Sequence, residues 1–195
     1  MSSPNPKNPG KNPQPGGRPA ESKGPAAGKS PPPEPPPPAH VIPLYRRIDW
    51  ISFTLTSLAV MLGYWWTLAP DLTLEDCGEL AVGSMYAGVP HPPGYPVWTI
   101  YSWFFTLLPI ENIAYRVALS SAVAGALSCG LVALMVSRGS SMIVEGIAEL
   151  KSLPRQWENG LCLVSGLVAG LLIGFNGFMW SQAVIVEVYT LSVLS

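Results

Sequence analysis

"VALSSAVAGALSCGLVALMV", Val117 to Val136, is a run of apolar and small residues without a single charge. A helix needs about 20 largely apolar residues to cross the hydrocarbon core of a bilayer. The stretch therefore predicts a membrane span, and with it an all-α membrane protein. Two more segments meet the same requirement: "WISFTLTSLAVMLGYWWTLA" (Trp50 to Ala69) before it and "LCLVSGLVAGLLIGFNGFMW" (Leu161 to Trp180) after it. The reading is a polytopic bundle of transmembrane helices. A fourth apolar stretch, "VWTIYSWFFTLLPI" (Val97 to Ile110), is short and bracketed by Pro96 and Pro109. Its length suits an interfacial or re-entrant helix.

The composition agrees with this reading. Of 195 residues 48% are hydrophobic and 12% charged, and the mean hydropathy is positive. The net charge of −1 gives no sign of nucleic acid, and no nucleic-acid partner is expected. The first forty residues, ending in "PPPEPPPPAH", contain no apolar run. They can bury nothing to offset their chain entropy, so residues 1–44 are expected to be a disordered Pro-rich tail, locally polyproline and used as a spacer. The tail has no hydrophobic core of a signal peptide. The membrane domain is then 45–195. Cys77, Cys129 and Cys162 are widely separated, a pattern that fits neither a disulfide framework nor a zinc site.

Charge sets the expected orientation, because short cytoplasmic loops gather Lys and Arg. Arg46, Arg47 and the basic tail precede the first span; Arg138, Lys151 and Arg155 follow the second; only Arg116 lies between. The amino terminus is thus expected in the cytoplasm, and Asp71, Glu75, Asp76, Glu79 and Glu111 outside it. "SMIVEGIAELKSL" (Ser141 to Leu153) reads as an amphipathic helix on the cytoplasmic surface. Gly166, Gly170 and Gly174 make a small face for close helix packing. The apolar run after residue 183 reads as the start of a further span, which makes the chain an expected amino-terminal fragment of a larger protein.

The chemistry concentrates in "LTLEDCGELAVGSMYAGVPHPPGYP" (Leu72 to Pro96). "DCGE" has the form of a capping box, with Asp76 as N-cap and Glu79 reaching back. A carboxylate at a helix mouth is also held in place and kept ionised by the helix dipole, which is what a general base requires. "PHPPGYP" is a stiff turn in which Gly94 can take a positive φ. It can also hold His91 and Tyr95 against the acids as the wall of a site. Arg116 can snorkel, or bind a lipid phosphate through its guanidinium. Glu187, inside an apolar run, needs a partner and is a functional candidate.

"EDCGELAVGSMYAGVPHPPGYPVWTIYSWFFTLLP", followed by "AYRVALSSAVAGAL" and "WSQAVIVEVYTL", resembles the transmembrane protein 260 type O-mannosyltransferases and their bacterial relatives, which belong to the GT-C class of polytopic glycosyltransferases. The resemblance runs from about Trp50 onward, and its specificity lies in the pairing of Asp-x-Gly-Glu-Leu with His-Pro-Pro-Gly-Tyr-Pro. It implies a GT-C-like bundle that moves a mannose-like sugar from a polyprenyl-phosphate donor to an extracytoplasmic hydroxyl of a protein or glycan, with inversion. It implies Asp76 as the base, with Glu79 orienting it or tuning its pKa. Arg116 would meet the lipid phosphate, His91, Gly94 and Tyr95 would shape the donor pocket, and Glu187 would close it. The family usually has Gly where this chain has Glu75, which leaves Glu75 and Asp76 both as candidates for the base. No cofactor is implied; Asp76, Glu79 and His91 could ligate a divalent ion, but no spacing demands one. The expected location is a bacterial inner membrane or the endoplasmic reticulum.

Two other classes compete with the enzyme. A transporter or channel subunit would use the acids as a cation-attracting vestibule, but it predicts acids within the bilayer and broken spanning helices. A scaffold recruiting partners through its Pro-rich tail gives the acids no reason to sit beside a His-Pro turn.

Overall fold

A computed structural model describes residues 43–73 and 76–195. The expected disorder of the tail, and the placement of Glu75, lie outside the described residues. Among these residues there are seven helices and no strand: α1 (Arg47–Thr67), α2 (Cys77–Met85), α3 (Pro96–Thr106), α4 (Ile113–Gly146), α5 (Arg155–Gly174), α6 (Gly177–Ala183) and α7 (Tyr189–Leu194). The fold is all-α, as the sequence predicts.

α4 is the organising element. Its 34 residues make a rod of about 51 Å at 1.5 Å per residue. One part packs on α1 and α5, and α2, α3, α6 and α7 gather on α4 as well. It continues through the polar stretch Ser137 to Ser141 because the hydroxyls there find partners: Ser137 Oγ donates to Asp49 Oδ1 at 2.6 Å, Ser140 Oγ pairs with Ser165 Oγ at 2.8 Å, and Ser141 Oγ donates to the Arg138 carbonyl at 3.0 Å. Hydroxyls satisfied in this way do not break the backbone ladder. The expected cytoplasmic surface helix is therefore not a separate element. Ser141 to Gly146 is the last turn of α4, and the chain then passes through turns to Pro154, the N-cap of α5.

α1, α4 and α5 meet through small side chains, as the glycine spacing predicts. A Cβ at Gly170 would meet Thr56 Cγ2 and lie 2.8 Å from the Cys129 carbonyl oxygen, and one at Gly174 would lie 2.6 Å from Val60 Cγ2. The absent side chains are what admit the neighbouring helices. The fully buried Tyr64 then ties α1 to the end of α5, its hydroxyl donating to the Gly174 carbonyl at 2.7 Å.

Two helices, α4 and α5, are long and apolar enough to cross a membrane. α1 has the length, but Trp50, Trp65, Trp66 and its Ser and Thr residues dilute its apolarity. The expected third span is displaced: α5 begins at Arg155 rather than Leu161 and stops at Gly174. The break is chemical. Asn176 is extended and its side chain accepts the Phe178 N–H at 2.9 Å, which starts α6 as a new helix. The helix expected over Val97 to Ile110 is α3, which ends at Thr106; at about 16 Å it is too short to span. The run after residue 183 is broken as well, and only α7 is helical there.

At the end of the molecule opposite α2, charge is buried. Asp49, fully buried, accepts the Ser137 hydroxyl at 2.6 Å and the Arg46 backbone N–H at 2.7 Å. The Arg46 guanidinium bonds Glu158 and reaches Cys162 Sγ at 3.2 Å. A buried carboxylate is tolerable only when paired and hydrogen-bonded, and this cluster latches α1, α4 and α5 together.

Candidate functional site

α2 begins at Cys77 with Asp76 at the N-cap position, as its sequence predicts, but the capping box does not form. Asp76 has φ −83° and ψ 10°, outside the extended N-cap geometry, and its side chain makes no cap hydrogen bond. Glu79 does not reach back; it reaches forward to the loop that follows α2. Its Oε1 accepts the His91 backbone N–H at 2.6 Å, and its Oε2 lies 3.1 Å from His91 Nδ1. A carboxylate can satisfy a helix terminus or a loop amide, and here the Pro-stiffened loop brings a donor N–H and a ring nitrogen to the same group. The His91 amide, then its ring, hold the Glu79 carboxyl below the ordinary carboxylate value.

The other ring nitrogen, Nε2, faces Asp76 Oδ2 at 3.9 Å. Tyr95 meets the imidazole edge-on, with ring centroids 6.0 Å apart and planes at 86°. The turn between them needs Gly94. Its φ is +86°, a region that only glycine enters without strain. A Cβ there would sit 3.0 Å from Val89 Cγ1, and its N–H donates to the His91 carbonyl at 3.0 Å. The carboxylates remain open to solvent, with Asp76 64% and Glu79 50% exposed. Asp76, Glu79, His91, Gly94 and Tyr95 are thus brought together as the sequence predicts.

Glu187 joins the same end of the molecule through its backbone. Its carbonyl accepts from Trp98 Nε1 at 3.1 Å and from Ser121 Oγ at 2.9 Å, while Oε2 accepts the Val188 N–H at 3.0 Å. Cys77, beside Asp76, reaches the Val186 carbonyl at 3.4 Å. The segment 186–188 therefore lies across α2, α3 and α4, and Glu187 is 6% exposed. Trp98, Ser121 and Cys77 carry this arrangement, and nothing in their sequence spacing signals it. Beside the segment, a groove of about 230 Å³ runs between Tyr95, Trp98, Val188 and Leu191. A mostly apolar groove of about 260 Å³ lies against Gly78, Val82, Asn112 and Ala114.

The Arg116 guanidinium donates to three carbonyls at the α3–α4 junction: Thr106 at 3.0 Å, Glu111 at 2.8 Å, and Ile110. Among the described residues it makes no ion pair. The site reading of Glu75 lies outside the described residues. No group of three or more His, Cys, Asp and Glu among the described residues is placed to hold a metal ion.

An all-helical body with two membrane-length apolar helices, carrying an open carboxylate–imidazole cluster at one end, is the class that fold and site define. Residues 76–195 match the family described as the protein O-mannosyl-transferase TMEM260 N-terminal domain, and the chain belongs to that family. It is 33% identical over 118 residues to the protein O-mannosyl-transferase TMEM260 of Mus musculus, an alignment covering 56% of this chain and 17% of the relative. To the Dictyostelium discoideum protein of the same name it is 32% identical over 76 residues, or 37% of this chain and 9% of the relative. The chain thus spans a small part of the length of these relatives. No solved structure matches it.

Proposed function

We propose that this chain carries the reactive end of a GT-C-type membrane glycosyltransferase. It moves a mannose-like sugar from a polyprenyl-phosphate donor to a hydroxyl of an extracytoplasmic protein or glycan. The observation that carries the reading is Asp76: a solvent-open carboxylate at the start of α2, occupied by no cap hydrogen bond, next to an imidazole that Glu79 holds in place. An exposed carboxylate left free of cap hydrogen bonds is open to an acceptor hydroxyl and suited to general-base work.

In this reaction Asp76 takes the proton of the acceptor hydroxyl. The acceptor oxygen attacks the anomeric carbon from the side opposite the phosphate, and the bond to the phosphate oxygen breaks with inversion. Arg116 spends part of its guanidinium on the Thr106, Ile110 and Glu111 carbonyls. It fixes the turn into α4 and meets phosphate with the hydrogens those carbonyls leave. Glu187 closes the site from the 186–188 segment, and Glu75, next to Asp76 in the sequence, adds a second negative charge.

The membrane reading is supported by the exposed surface. α1 shows Leu55, Leu58 and Leu62 between Trp50 at one end and Trp65 and Trp66 at the other. α5 shows Leu161, Val164, Val168 and Leu172 beyond Trp157. Apolar bands ending in aromatic residues suit lipid on the outside and headgroups at the rims. α1, α4 and α5 then cross the bilayer as a polytopic bundle, with the basic end cytoplasmic and α2 outside. The lipid of the donor stays in the bilayer while its sugar reaches the acids.

Membranes from cells expressing the natural gene product test the donor class. Labelled mannose should pass to protein from a polyprenyl-phosphate carrier and not directly from a nucleotide sugar. Transfer from the nucleotide sugar with the lipid carrier depleted would overturn the donor assignment, and absence of any transfer would favour a transporter with an acidic vestibule.

A further inference from the structure

We infer that Glu79 and His91 form a carboxylate–imidazole dyad in which His91 Nε2 receives the proton that Asp76 takes from the acceptor; the inference rests on the proposed transferase reading. It follows from what each atom can do. An ionised carboxylate only accepts hydrogen bonds. Glu79 holds the His91 backbone N–H at 2.6 Å and stands 3.1 Å from Nδ1, so the ring proton belongs on Nδ1. Nε2 of the neutral ring is then a lone pair, and it is the nitrogen that faces Asp76, 3.9 Å from Oδ2.

The alternative tautomer sets a lone pair on Nδ1 against a carboxylate oxygen at hydrogen-bond distance, which is repulsive. Glu79 thereby fixes both the position of the ring and the end of it that is basic. Second-partner control of this kind is how an imidazole is poised to accept a proton. The gap of 3.9 Å is longer than a hydrogen bond. Asp76 is 64% exposed, so a side-chain movement of about 1 Å brings its oxygen to hydrogen-bonding range of Nε2. The titratable groups facing the ring among the described residues are Asp76 and Glu79 from α2, and Tyr95, edge-on from the far side of the turn.

The step balances. The acceptor O–H proton passes to Asp76 Oδ2 as the new bond to the anomeric carbon forms. The bond to phosphate breaks and its electron pair leaves with the phosphate. The Asp76 proton moves to Nε2, the imidazolium so formed is neutralised by Glu79, and the ring later releases the proton to solvent. Asp76 is returned to its ionised form for the next acceptor. Glu79 acts only through His91 and is a positioning residue.

Two substitutions separate proton transfer from loop architecture. His91→Asn keeps an N–H donor near the Nδ1 position for Glu79 but has nothing in place of Nε2. Glu79→Gln keeps an acceptor for the His91 amide, but can turn its own N–H toward Nδ1 and so places the ring proton on Nε2. Both are compared with wild type and Asp76→Asn for sugar transfer in membranes, as kcat and KM for each substrate across pH, with folding checked by detergent-extracted yield and Tm. The expected result is a fall in kcat on the order of 10²-fold for each, with KM within about twofold. The acid limb of the wild-type rate profile should shift in His91→Asn, where Asp76 alone is left to take up the proton. Wild-type-like kcat in either variant, or an unshifted acid limb in His91→Asn, overturns the dyad. If Asp76→Asn abolishes transfer while both dyad variants keep it, the dyad fails and the transferase reading survives; if Asp76→Asn itself transfers normally, both fail.

Discussion

At the scale of single residues, the site depends on which of two partners Glu79 selects. The same carboxylate could close a capping box on α2 or clamp the loop that carries His91, and it clamps the loop. A pH dependence follows with a definite sign. Glu79 has its pKa lowered from 4.5, so its contribution to holding His91 is fully present above that ordinary value and is lost as pH falls through the lowered one. Hydrogen exchange of the His91 amide should stay protected to below pH 4.5 and then fail, and Glu79→Gln should remove that acid step. Protection lost well above the ordinary carboxylate range would show that Glu79 is not the clamp. Asp76, Glu79, His91 and Tyr95 were legible in the sequence because a short, proline-rich loop leaves them little room to separate. The direction of Glu79 was not, since both of its options are hydrogen bonds of similar worth and the choice is made by the path of a loop twelve residues on. Arg116 illustrates the same limit: a lone cation near five acids reads as an anion site, and nothing in the spacing says that the carbonyls of Thr106, Ile110 and Glu111 take part of its guanidinium.

At the scale of elements, the helices were legible and their ends were not. The twenty uncharged residues from Val117 fix α4, but nothing in their hydropathy says that the following serines will find partners on α1, on α5 and along the helix itself and carry it to Gly146. The end of α5 turns on Asn176, a single capping residue inside an otherwise continuous apolar run. The buried latch of Arg46, Asp49 and Glu158 was missed because charges at the ends of apolar segments ordinarily read as solvated. The glycine face is the part read most directly, and it gives a paired prediction. Gly170→Val places side-chain atoms against Thr56 and the Cys129 carbonyl, and overpacking of this kind destabilises by about 1–3 kcal/mol. Gly160→Ala, on the same helix, meets nothing within 4 Å and removes a helix-interior glycine, a gain of about 0.5–1 kcal/mol. The Tm of the purified protein in detergent should fall for the first and hold or rise for the second. A fall for both would mean that the small face is not what joins α5 to α1 and α4.

At the scale of the whole molecule, two ends of one helical body differ in chemistry. One end buries ion pairs around Arg46; the other opens the cluster of Asp76, Glu79 and His91. A bilayer between them accounts for the exposed apolar bands of α1 and α5, and it predicts accessibility from opposite sides. A cysteine placed at the exposed Asp71 should react with a membrane-impermeant maleimide from outside intact cells, whereas one at Ser152 should react only after permeabilisation. Labelling of both positions from the same side would contradict the proposed crossing. If Asp76 is the base of a sugar transfer, the rate of transfer from a polyprenyl-phosphate donor must separate membranes containing wild type from those containing Asp76→Asn at matched protein level. Asn keeps the size of the side chain and the preference for a helix start while removing the basic oxygen. Transfer should fall on the order of 10²-fold or more with the protein still folded; transfer at the wild-type rate would show that Asp76 is not the base.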